Sequence, residues 1–176
     1  TSQMSPSTGG TWMSLNPGTA SIDNSGLVTG LSQGSARFRF TSTATGCISD
    51  PSNEIIVNTA PAVTITGPGT ICIGATTQVN PTNGGIWVSS NPTIASVNNS
   101  GQITGITAGQ ASFTYTHSAT GCSSLTPITV TVNPKPAVSI QGNTSICIGH
   151  TTTLSPSTGG AWTSNNSNAA TVTNSG

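Results

Sequence analysis

Along this chain apolar positions recur at every second residue. Ala111-Ser112-Phe113-Thr114-Tyr115-Thr116 alternates small or aromatic residues with hydroxyls, and Ile128-Thr129-Val130-Thr131-Val132 does the same. Successive strand side chains point to opposite faces, so this alternation predicts half-buried strands. Val63-Thr64-Ile65-Thr66 predicts another. Breakers arrive at regular intervals: Gly67-Pro68-Gly69, Asn83-Gly84-Gly85, Asn91-Pro92, Asn99-Ser100-Gly101, Ala108-Gly109 and Thr120-Gly121. They divide this part of the chain into about seven short strands joined by turns. No segment offers the long apolar stripe of a helix.

The pattern repeats. Gly9-Gly10, Gly84-Gly85 and Gly159-Gly160 lie 75 residues apart, each followed by Trp12, Trp87 and Trp162, and Asn-Ser-Gly closes at Gly26, Gly101 and Gly176. Residues 1–75 match 76–150 at a little under half of positions without a gap. Such a period marks tandem units and sets the domain boundaries. The Pro-containing junctions Asn58-Thr59-Ala60-Pro61 and Asn133-Pro134-Lys135-Pro136 divide the chain into 1–59, 60–133 and 134–176. The first lacks the opening of its copy and the last lacks its closing half. This reads as a slice of a longer array.

About 75 residues with seven strands predicts a small antiparallel β-sandwich, so the fold class is all-β. Trp87 is expected near the middle of the third strand, between the sheets. Val97, Ile103, Phe113, Tyr115, Val130 and Val132 are expected around it. Trp12, Ile22, Val28, Phe38 and Phe40 repeat that core upstream, and Trp162 opens a third.

Charge narrows the function classes. Charged residues are 3% of the chain and net charge is zero, while serine and threonine make up about a third. Arg37, Arg39 and Lys135 cannot build the basic face that nucleic acid requires. Asp23, Asp50 and Glu54 are scattered, which gives no calcium site or catalytic carboxylate pair. No apolar run is long enough for a membrane-spanning helix, and the opening residues carry no secretory-signal pattern. No cofactor or metal is expected.

Trp87-Val88-Ser89-Ser90-Asn91-Pro92, Ile94-Ala95-Ser96-Val97, Ser100-Gly101-Gln102-Ile103-Thr104-Gly105 and Ala108-Gly109-Gln110-Ala111-Ser112-Phe113 carry a family resemblance. In that order they resemble the bacterial immunoglobulin-like (group 2) domain, and Trp12 to Phe38 carries the same motifs. The added Cys-Ile-Gly at Cys72 and Gly-Cys at Cys122 resemble the version found in very long Bacteroidota surface proteins, including gliding and attachment adhesins. The resemblance implies an extracellular spacer or adhesive module with no catalytic motif.

Four cysteines at repeat-equivalent positions, without nearby histidine pairs, favour disulfides over zinc. The first expectation is an in-repeat bond, Cys72–Cys122, leaving Cys47 and Cys147 with partners outside this stretch. In an immunoglobulin-like topology, however, Cys72 precedes the second strand and Cys122 opens the last. The rivals are a bond from each Cys72-type thiol to the Cys122-type thiol of the next copy, and free thiols. Either bond implies an oxidising compartment.

Other motifs read as structural. Gly30-Leu31-Ser32-Gln33-Gly34 matches a nucleophile elbow, but its counterpart Gly105-Ile106-Thr107-Ala108-Gly109 lacks the serine and a β-hairpin is expected there. His117 and His150 replace Ser42 and Ala75 of the preceding copy and read as surface histidines. Asn98, Asn143 and Asn165 begin glycosylation-like triplets but suit turns. The expected function is the stalk of an extracellular bacterial surface adhesin, and not an enzyme. Its partners would be neighbouring repeats, other copies laterally, or surface glycans and host or substratum ligands engaged elsewhere in the protein. The alternatives are a self-assembling filament, sheath or surface-layer subunit, and the non-catalytic spacer of a secreted enzyme or glycan-binding protein.

Overall fold

The computed structural model describes residues 2–175, in two units, Thr1–Asn133 and Pro134–Gly176. Among the described residues every regular element is a strand. The alternating hydroxyl and apolar residues take the extended conformation in short pieces, ended by glycines at positive φ such as Gly84, Gly101 and Gly121. The first copy holds β1 (Ser2–Gln3), β2 (Gly10–Ser14), β3 (Ala20–Ile22), β4 (Leu27–Gly30), β5 (Gly34–Ala36), β6 (Phe38–Ser42) and β7 (Ile55–Val57). The second holds β8 (Thr64–Ile65), β9 (Thr70–Cys72), β10 (Thr76–Asn80), β11 (Gly85–Ser89), β12 (Ala95–Val97), β13 (Gln102–Gly105), β14 (Gly109–His117) and β15 (Ile128–Asn133). In the second unit β16 (Ser139–Ile140) pairs with β17 (Leu154–Ser155).

Residues 64–133 form two four-stranded sheets, ordered β12-β13-β10-β8 and β11-β14-β15-β9. The single core between them contains Ile71, Val79, Trp87, Ala95, Ile103, Ala111, Phe113, Tyr115, Val130 and Val132. The sequence pattern anticipates seven strands, all antiparallel; there are eight, and β9 runs parallel to β15. The reason is local. β8 pairs with β10 in one sheet, then Gly67-Pro68-Gly69 carries the chain across to the other. A side chain at Gly67 would strike Thr77 Oγ1, so this crossover needs glycine. Trp87 therefore lies in the fourth strand, not the third.

The first copy keeps the same pairings. β3-β4-β1 repeats β12-β13-β10, β2-β6 repeats β11-β14, and β5-β7 repeats β14-β15. Its core of Ala20, Val28, Ala36 and Phe38 is separate, with Trp12 and Ile22 half-buried against it. The aromatic pair recurs too: Trp12 and Phe40 sit 5.1 Å apart at 57°, and Trp87 and Tyr115 sit 5.2 Å apart at 55°. Both pairs lie within the roughly 4.5–7 Å centroid range at which aromatic rings attract. Each indole N–H donates to a proline carbonyl six residues upstream: Trp12 to Pro6 at 2.9 Å, Trp87 to Pro81 at 2.8 Å and Trp162 to Pro156 at 3.0 Å. Tryptophan is thus the residue that fills the core and satisfies its own polar end. Trp87 is buried, whereas Trp162 is half-buried beside Val138, Ile140 and Leu154 in an open depression. Val97 and Phe40, both expected in the core, are half-buried.

Serine hydroxyls brace the same strands. Ser124 Oγ accepts the buried Tyr115 N–H at 3.2 Å, and its counterpart Ser49 accepts Phe40 N–H at 3.0 Å. Removing such an acceptor leaves a buried donor unpaired, which costs ~1–3 kcal/mol. Ser124→Ala should lower the unfolding free energy of the 64–133 fold by an amount in that range, read as a lower urea midpoint with an unchanged slope.

Candidate functional site

The strand directions give the sandwich two ends. At one lie the start of β8, the end of β10, the start of β11 and the end of β14, since Thr64 faces Asn80 and Gly85 faces His117. At the other lie the end of β9, the end of β13, the start of β14 and the end of β15. The chain enters at the first end and leaves at the second. The ends are nine residues of β14 apart, roughly 27 Å at ~3.3 Å per residue.

The cysteines divide between these ends. Cys72 closes β9 in register with Asn133, at the exit end. Cys122 accepts the His117 N–H through its carbonyl at 2.9 Å, which fixes it at the entry end. A disulfide needs Cα atoms within about 7 Å. Cys72 and Cys122, the in-repeat pair favoured from sequence, stand at opposite ends of this sandwich. All four cysteines are free thiols. Cys47 sits as Cys122 does, its carbonyl accepting the Ser42 N–H at 3.0 Å. Cys72 and Cys47 are exposed and Cys122 is half-buried. In the second unit Cys147 is exposed, its carbonyl accepting the His150 N–H at 3.0 Å.

The turns between strands are built by short side chains. Asn98 Oδ1 accepts from Ser100 N, Ser100 Oγ and Gln102 N at 3.1, 2.7 and 2.9 Å. At the equivalent place Asp23 Oδ1 accepts from Ser25 N, Ser25 Oγ and Leu27 N at 2.9, 2.6 and 2.9 Å. Ser14 and Ser89 donate to Ala20 and Ala95 carbonyls, each at 2.7 Å, and accept from the N–H of Asn16 and Asn91. The Ser-x-Asn that follows each tryptophan is therefore a corner brace.

The Ser25 hydroxyl, then the Leu27 N–H, hold the Asp23 carboxyl below its ordinary 3.8. Hydrogen bonds to the ionised form favour it. With the folded value below the unfolded one, Asp23 contributes stability above about pH 3.8, and that contribution is lost as pH falls through the folded value. Asp23→Asn should leave the melting temperature at pH 7 nearly unchanged, because Asn98 makes the same turn without charge. The variant should show a smaller fall than the parent in melting scans from pH 4 to pH 2.

The residues suggestive of chemistry lie apart. Ser32 Oγ donates to Gly18 O at 2.7 Å, as Thr107 Oγ1 donates to Thr93 O at 2.8 Å. The segment Gly30–Gly34 joins β4 to β5, which belong to different sheets, so it is a crossover and not the expected hairpin. His117 ends β14 with Nδ1 3.4 Å from Thr120 Oγ1, and His150 is exposed. Among the described residues no three of His, Cys, Asp and Glu gather as metal ligands would. No helix among the described residues is long and apolar enough to cross a membrane. What the geometry sets out is a strand sandwich with its entry and exit at opposite ends, and a thiol at each.

This is an immunoglobulin-like β-sandwich. Residues 1–47 match the model of the bacterial Ig-like domain (group 2) family. No curated protein matches the sequence. Among solved structures, the C-terminal 282-residue fragment of intimin, crystallised with the intimin-binding domain of the translocated intimin receptor, is 17% identical with TM-score 0.41. That match covers 75% of this chain and 54% of the fragment, so the chain spans about half its length. Invasin, a bacterial integrin-binding protein, is 19% identical with TM-score 0.40, over 79% of this chain and 34% of that one. Domains 4 and 5 of the S-layer protein SbsC are 20% identical with TM-score 0.28, over 73% and 71%.

Proposed function

We propose that this chain is a run of tandem immunoglobulin-like domains, bounded at 1–59, 60–133 and 134–176, acting as a spacer in an extracellular bacterial surface protein. The observation that carries the reading is the separate core of each copy in Thr1–Asn133, combined with chain entry and exit at opposite ends. Domains joined in that way extend a chain, and each adds roughly the 27 Å of its longest strand. Faces rich in Ser, Thr and Asn with almost no charge suit such a role. The narrower form is the stalk of a Bacteroidota gliding or attachment adhesin, supported by the Cys-Ile-Gly and Gly-Cys insertions.

A second reading, lateral self-assembly into a filament or layer, is favoured by one observation. Edge strand β11 exposes Ile86 and Val88, and no charged residue of 64–133 stands beside them to discourage edge pairing. Proteinase shaving of intact cells tests the spacer reading: the repeats should be lost without lysis, and purified repeats should sediment as single chains at micromolar concentration. Protection until lysis would refute the surface placement, and ordered polymers would select the second reading.

A further inference from the structure

We infer that the thiols form disulfides between successive repeats, each Cys72-type thiol bonding the Cys122-type thiol of the repeat that follows. The inference rests on the tandem reading above. Cys72 stands at the exit end of its sandwich, beside Asn133, where the chain passes to the next copy. Cys122 stands at the entry end, beside His117 and the loop through Asn83 and Gly84 that leads into β11. Within Thr1–Asn133 the step from the exit end of the first copy to the entry end of the second is Asn58 to Thr64. Six residues can span at most ~20 Å, so exit and entry ends of successive copies are held close by the chain itself. No comparable tether draws Cys72 toward the Cys122 of its own sandwich.

The same rule places every thiol. Cys72 and Cys147 are exit-end cysteines and pair forward, while Cys47 and Cys122 are entry-end cysteines and pair backward. An exit-end thiol bonds an entry-end thiol one period further on, so a bonded pair lies 125 residues apart in sequence. No two of the four residues have that order and separation, so each partner lies in a repeat outside residues 1–176. The chemistry is an exchange. One thiolate attacks an external disulfide of the glutathione or oxidoreductase type, forming a mixed disulfide and expelling one thiol. The second thiolate then attacks the mixed disulfide and expels the other thiol. Two protons and two electrons leave the cysteine pair, and the external disulfide is reduced to two thiols.

The test is peptide mapping of the full-length protein recovered from cells, with free thiols capped by N-ethylmaleimide before non-reducing chymotryptic digestion. Cleavage at Trp87, Phe113 and Tyr115 separates Cys72 from Cys122. The Cys72 peptide should be joined to the Cys122-type peptide of the next repeat. In Cys72→Ser that following thiol should become fully capped, while Cys122 stays bonded. A Cys72–Cys122 peptide pair, a bond from Cys72 to another copy of the chain, or capped Cys72 beside a following repeat would overturn the staple alone. Should the same digest yield no repeat beyond residue 176, Cys72 has no following repeat to bond and the staple falls, while the separate copies within residues 2–133 stand.

Discussion

Trp87→Ala should abolish most of the stability of the 64–133 sandwich and leave that of residues 2–58 nearly intact. Trp87 is 4% exposed, packs against Tyr115 at a tilt of 55° and donates its indole N–H to the Pro81 carbonyl. Truncating a buried Trp costs about 3–5 kcal/mol through lost transfer energy and the cavity left behind. A domain of this size has roughly 4–10 kcal/mol in all. The two cores share no residue, so the loss should stay local. Hydrogen exchange read by mass spectrometry should show amides of β11, β14 and β15 losing protection while those of β2 and β6 keep it. Trp87→Phe keeps the ring and loses the hydrogen bond, so its effect should be less than half as large. Equal loss of protection in both copies would mean that they fold as one body.

Gly101→Ala should be the other severe substitution, costing about 2–5 kcal/mol. Gly101 has φ +76°, and an added Cβ would meet the Val79 carbonyl oxygen within overlapping distance. Two terms add: ~1–2 kcal/mol for an L residue in the left-handed region, and ~1–3 for forcing β10 away from the turn. Gly26 stands in the same relation to Met4, which explains why Asn-Ser-Gly recurs with the period. Gly121 provides the control. Its φ is +68° but an added Cβ there has nothing within 4 Å, so Gly121→Ala should cost only the backbone term. Urea titration of both variants separates the two contributions; equal losses would remove the steric argument.

The sequence carries the strands, the period and the large core residues openly, because alternation and aromatic spacing are local signals. Phe113, Tyr115, Val130, Val132 and Ile103 are buried as their parity in the strand requires. The buried alanines are not legible this way. Ala20, Ala36, Ala95 and Ala111 have side chains too small to separate core from surface by composition. Ile71 and the parallel β9 are also hidden, since the crossing of Gly67-Pro68-Gly69 between sheets depends on which distant strand receives it. The thiols fail for the same reason. That Cys72 and Cys122 recur with the period is visible along the chain, but the ends they occupy follow from the register of β9, β14 and β15. A bond assigned within one repeat is the natural reading until those registers are known. Asn98 is legible only as a turn residue and Ser89 only as part of a motif, and their bracing role comes from bonds to particular backbone groups.

The central claim is that each copy is a separate domain, linked end to end. Pulling a single chain by its two ends, with a reductant present, tests it most directly. Independent domains should yield in separate events, releasing about 17 nm for residues 2–58 and about 21 nm for 64–133 at ~3.5 Å per residue less the folded length. A single event of about 40 nm, taking both copies together, would contradict the account.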